Sequence, residues 1–195
     1  MQSAKTKKMV IESLNRADQH TIERRAERIM QISSVIEPAS YIGEDELLSM
    51  IEEARACFIN GLNISTLVIA TSCIERMLIT ELKKRGYKSG TLNEAIEKCA
   101  GITNDPEQLL DKVSTLLRAR NAYVHIKTSN HESRRVVRAD ARGVPPTTIS
   151  EEDALLSIVT MYKLFNALTL DAPYDLLANL GFPDQNNNVY KETEL

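Results

Sequence analysis

The sequence predicts an all-α protein: an antiparallel helical bundle carrying a long N-terminal helix. Three observations lead there. Apolar residues recur at three- and four-residue spacing in one segment after another. No stretch alternates apolar and polar residues for long, and no tight turn joins two such runs. Ser, Thr, Asp or Pro stands where several of these segments begin, and Gly or Pro where they end.

The first helix is expected from about Lys5 to Ile36, with Pro38 ending it. It is dense in charge, as in "TIERRAERIMQ", with a thin apolar stripe through Ile22, Ile29, Ile32 and Val35. The second helix covers about 44 to 60, where "GEDEL" puts acidic groups at the positive end of the helix dipole. A break at "NGLN" follows. The third helix, about 63 to 85, is the most apolar and stops at Gly86. A short fourth helix, "TLNEAIEKCAG", opens on Thr91 as cap with Glu94 at the capping-box position. The fifth starts near Asp105 and Pro106, a cap followed by proline in the first turn, and runs to about Ile126. An irregular segment, "KTSNHESRRVVRADARGVPPTT", is closed by Pro145 and Pro146. The sixth helix is "SEEDALLSIVTMYKLFNALTL", with Ser150 as cap and Asp153 three residues on. The domain organisation that follows has a long helix over 1–40, packed on the bundle or on a partner. The bundle itself spans 41–170, and a short helix with a polar tail spans 171–195.

Composition narrows the function. The 195 residues suffice for one domain with a sizeable core. Aromatic residues make up 5% and Trp is absent, which argues against stacking platforms for single-stranded nucleic acid. The net charge of -3 means that any nucleic-acid role must rest on local charge. Cys57, Cys73 and Cys99 are odd in number, lack C-x-x-C spacing and sit in apolar helical patterns, so they read as reduced core cysteines. The first residues lack the apolar stretch of a signal peptide. The longest apolar run, 62 to 79, is interrupted by Glu75 and Arg76 and does not read as a membrane span. The expectation is a cytoplasmic protein with no membrane partner.

Two charges stand out because they fall on apolar stripes. At 100° per residue, Leu109, Val113, Leu116, Leu117, Tyr123 and Val124 share one face of the fifth helix, and Arg120 falls near its middle. On the third helix, Glu75 projects into the stripe of Ile64, Leu67, Val68, Leu78, Ile79 and Leu82. Each charge is costly to bury alone, so an ion pair between Glu75 and Arg120 is expected. The alternatives are that the pair only sets helix register, or that both charges reach the surface. Asn121 and His125 project to one side, next to the inward Arg120. Residues 118–142 hold Arg118, Arg120, Lys127, Arg134, Arg135, Arg138 and Arg142 against only Glu132 and Asp140. A basic island beside a histidine fits a phosphodiester ligand; a solvated charged loop is the plain alternative. No H-E-x-x-H, Cys/His cluster, Walker loop or G-x-G-x-x-G occurs, so no metal and no cofactor are expected.

Arg120-Asn121-Ala122-Tyr123-Val124-His125 resembles the R-x(4–6)-H motif of the HEPN superfamily, in which a polar residue commonly follows the Arg. The segments "LVIATSCIERMLITELKKRG" and "LLDKVSTLLRARNAYVHI" are similar to the central helix pair of small prokaryotic HEPN proteins, a likeness covering about 45 to 170. The resemblance implies a HEPN-like bundle, a homodimer with its two motifs facing each other, and a metal-independent endoribonuclease. It also implies a setting in toxin–antitoxin or phage-defence systems, with an antitoxin or defence-system protein as a partner. On this chain His125 would move protons, Arg120 would hold the scissile phosphate and Asn121 would orient one of them. Glu75 would position Arg120. Arg118, Lys127, Arg134, Arg135, Arg138 and Arg142 would grip the RNA. The alternative is a non-catalytic HEPN module that binds RNA, a nucleotide or a partner protein; a generic helical adaptor is a third reading.

Overall fold

The computed structural model describes residues 2–36, 45–84, 86–88, 91–99 and 109–169. Every regular element among them is a helix: α1 (Gln2–Ser33), α2 (Asp45–Ile59), α3 (Asn63–Lys84), α4 (Leu92–Cys99), α5 (Leu109–Val124), α6 (Arg135–Arg142) and α7 (Pro146–Thr169). The all-α expectation therefore stands. The expected start of the fifth helix at Asp105, the Gly101 end of the fourth and the 171–195 segment lie outside the described residues. No helix among the described residues is long and apolar enough to cross a membrane.

The centre of the molecule is α3, which packs against α7, α2 and α5. It can occupy that position because its apolar arc is wide. Leu67, Ala70, Cys73, Ile74, Met77, Leu78 and Leu82 are all buried. Around them close Phe58 of α2, Leu116 of α5, and Ile158, Tyr162 and Phe165 of α7. Thr66 and Thr71 are buried on the same helix. Their hydroxyls donate back to Leu62 O and Leu67 O, so burial leaves neither unsatisfied. The α2–α3 turn forms where "NGLN" stands. Gly61 has φ 76, its N–H reaches Phe58 O, and Leu62 N–H reaches Cys57 O.

The first helix, expected to pack on the bundle or on a partner, meets the bundle only near its C-terminal end. Every described side chain from Thr6 to Arg24 is exposed, and Ile22 and Ile29 of the expected stripe face solvent. Only its C-terminal end is anchored, by buried Ile32 and by Arg28. Arg28 donates to Phe58 O and Asn63 Oδ1, both at 2.9 Å, and stacks 5.2 Å from the Phe58 ring centroid. A cation thus meets the carbonyl end of α2, where the helix dipole favours it. The helix ends at Ser33, before Pro38, which lies outside the described residues.

Two further expectations are corrected. The segment expected to be irregular contains α6, an eight-residue helix that packs on α7. It buries only Ala139, so its apolar signal is too narrow to register as a stripe. Gly143 closes it with φ 63 and ψ 32, in the left-handed conformation that glycine adopts without penalty. Helix α7 begins at Pro146, so Ser150 is not its cap; Ser150 and Asp153 are buried about one and two turns inside. Of the cysteines, Cys73 is buried with its thiol pushed up to about 12 by burial, whereas Cys57 is only half-buried. The Cys99 side chain is outside the described residues.

Candidate functional site at the end of α5

The stripe of α5 is buried from Leu109 through Val113, Leu116 and Leu117 to Ala119, and then leaves the core. Arg120 sits at that exit. It is half-buried, its Nη1 donates to Asn121 Oδ1 at 3.2 Å, and its Nε is buried without a hydrogen-bond partner. His125 N–H still bonds Asn121 O at 3.1 Å, so one more turn of helical bonding carries His125 into solvent. Val124 and Ile126 on either side of it are exposed, Ile126 fully. Arg120, Asn121 and His125 thus follow one another where α5 leaves the core, the first two half-buried and the histidine exposed.

The expected ion pair is not formed. Glu75 lies at the margin of the buried arc of α3 and turns to α4, where its Oε1 accepts the Leu92 N–H at 3.1 Å. Thr91 Oγ1 accepts Glu94 N–H at 3.2 Å, so the first turn of α4 is capped from within and from α3. A carboxylate at the positive end of a helix satisfies that charge more cheaply than a buried pair would. The adjacent Arg76 bonds Glu46 in the first turn of α2 at 2.8 Å. Both charges inside the apolar run of α3 thus tie down neighbouring helices. Glu75→Ala should then cost about 1 kcal/mol, the worth of one cap, and leave Arg120 untouched. Thermal unfolding together with RNA cleavage by this variant checks both halves.

The basic island divides in two. On α6, Arg138 makes a bidentate pair with Asp153 at 2.8 and 2.7 Å, and Arg142 pairs with Glu152 through both nitrogens. Their charge is paired with carboxylates of α7, which leaves Arg138 and Arg142, expected to grip RNA, less free charge to do so. Among the described residues Arg134 and Arg135 meet only neutral oxygens: Ser129 O at 2.8 Å and Ser150 Oγ at 3.2 Å. Arg118 is exposed and bonds Thr115 Oγ1 at 3.4 Å; Lys127 is half-buried. The surplus of positive charge therefore concentrates at the end of α5 and the start of α6.

Sequence reasoning missed Tyr123 and Ser150 as polar groups. Tyr123 read as stripe and Ser150 as a cap, yet Tyr123 Oη and Ser150 Oγ are 3.2 Å apart. Burial raises the Tyr123 pKa, so its hydroxyl keeps its proton. Among the described residues no three His, Cys, Asp or Glu side chains gather as metal ligands. Compared with protein-family models, curated proteins and solved structures, the chain matches none.

Proposed function

We propose that the chain is a metal-independent endoribonuclease of HEPN type, acting as a homodimer through the ends of its two α5 helices. One observation carries this reading. Arg120, Asn121 and His125 lie where α5 leaves the core, with Arg118 and Lys127 on either side in the chain and Val124 and Ile126 exposed beside the histidine. Exposed Val124 and Ile126 beside His125 suit a surface that a second copy covers. The buried Arg120 Nε, without a partner, suits a group awaiting a phosphate or the second chain. RNA supplies its own nucleophile, the 2′-OH. In this reading His125 takes that proton and returns one to the departing 5′-oxygen, while the Arg120 guanidinium steadies the charge on the phosphorane.

RNA as substrate and an antitoxin or defence-system protein as regulator follow from the HEPN resemblance. A second reading, a non-catalytic HEPN module, is favoured by one feature: no side-chain hydrogen bond among the described residues orients His125. The deciding experiment is incubation of the protein with single-stranded RNA in excess EDTA. The expected result is cleavage leaving 2′,3′-cyclic phosphate ends, with DNA and 2′-O-methyl RNA intact. Binding without cleavage across substrates and pH selects the second reading, and a requirement for divalent metal overturns the mechanism.

The assembly has its own test. Light scattering at micromolar concentration should give twice the chain mass of 21.9 kDa. Ile126→Glu should shift the protein to monomer, because it places a charge in the covered patch. A wild-type monomer removes the paired-site reading.

A further inference from the structure

A groove runs beside the end of α5, between the start of α3, the start of α6 and the start of α7. Its walls are Ile64 of α3, Ala122 and Tyr123 of α5, and Arg134, Arg135 and Val136 at α6. It continues past Arg135 over Leu62 to Ser150 of α7. Two features mark it. Ile64, Leu62 and Val136 are exposed apolar side chains that lie together along it. Arg135 also stands apart from Arg138 and Arg142 of the same helix, since both of those have carboxylates and it has none among the described residues.

Ser150 explains how that arginine is held. Its buried hydroxyl donates to Pro146 O at 3.2 Å and accepts from Arg135 Nη1 and Tyr123 Oη. One donor and two lone pairs are thereby used, which is all that a serine offers. Arg135 is fixed by a neutral group, so it keeps its full charge and most of its five N–H donors. A carboxylate in place of Ser150 would have neutralised it, as Asp153 does for Arg138. A guanidinium held rigid, uncompensated and next to an apolar floor fits a ligand that is planar and apolar at one end and anionic at the other.

We infer that this groove seats one nucleotide of a single-stranded RNA, its base against Ile64 and Val136 and its phosphate on Arg135 and Arg134. The inference rests on the ribonuclease reading only for the identity of the strand. Ala122 lines the groove three residues before His125, about 4.5 Å of helical rise. The seated nucleotide is therefore a near neighbour of the one at the cut. Ser150 acts as a positioning residue through Arg135.

The test is fluorescence anisotropy of the full chain with a labelled 2′-O-methyl RNA octamer. That probe lacks the internal nucleophile, so its binding reports on the groove even if no RNA is ever cut. Arg135→Gln and Ile64→Asp should each weaken the octamer by about 10-fold or more, as expected for losing a charged hydrogen bond or a base seat. Arg142→Gln, on the same helix with its charge already paired, should bind as wild type. Ser150→Ala should weaken binding less than Arg135→Gln and should be restored by Ser150→Thr. Equal losses in Arg135→Gln and Arg142→Gln would mean that only bulk charge is sensed and would overturn the inference. So would unaltered binding by Ile64→Asp, or competition by an octaglutamate peptide as strong as that by unlabelled RNA.

Discussion

His125→Ala is expected to lower the rate of RNA cleavage by roughly 10²–10⁴-fold, the usual worth of a positioned acid–base group. The histidine stands in solvent at the end of α5, with its backbone still in the helical register set by Asn121 O. It can reach a strand lying across the helix end, whereas a histidine one turn earlier, at Asn121 or Ala122, would be half-buried. Removing it deletes the proposed proton carrier and leaves Arg120, Arg134 and Arg135 in place, so the 2′-O-methyl RNA octamer should still bind. Arg120→Lys should fail as well, because an ammonium is a point charge and cannot present two parallel donors to a phosphate. It would also lose the planar group that reaches Asn121 Oδ1. Single-turnover cleavage measured with both variants checks this. A wild-type rate in His125→Ala moves the chemistry elsewhere in the molecule.

The largest effect on stability should come from Arg138→Ala. Asp153 is 5% exposed and Arg138 26%, and two hydrogen bonds of 2.8 and 2.7 Å join them. Deleting the arginine strands a carboxylate inside the α6–α7 contact. Breaking a buried pair from one side costs about 3–5 kcal/mol. For a chain of this size that is a fall in Tm of roughly 6–20 °C. Asp153→Ala should cost less, because the freed guanidinium can turn to water. Arg142→Ala should hardly register, since that arginine and Glu152 both face solvent. Thermal unfolding of the three variants gives the order. Equal losses would mean that burial of Asp153 is not what makes the pair matter. The same series separates two roles on one short helix, with Arg138 holding the fold and Arg142 paired at the surface.

Much of this molecule was readable in its residues. Helical spacing of apolar side chains gave the all-α class. Gly61 and Gly86 marked two ends, and Thr91 with Glu94 marked the start of α4. These are local signals: a periodicity, a backbone conformation open to glycine, a hydroxyl three residues before an amide. The closeness of Arg120, Asn121 and His125 along α5 was readable too, since five residues of helix rise only about 7.5 Å.

What the sequence could not settle was which charge meets which. Glu75 and Arg120 both project onto apolar stripes, yet projection gives an angle about one helix and says nothing of the position of another. The rotation of α3 turned Glu75 toward the open amide of α4, and the stripe of α5 outran the core before Arg120 could be enclosed. The four arginines from 134 to 142 look alike in the sequence. Two were neutralised and two left charged because carboxylates of α7 lie opposite one end of α6 while Ser150 lies opposite the other. Tertiary packing made that distinction: the worth of a charge depends on the partner and the water around it, and both are set by helices distant in the chain.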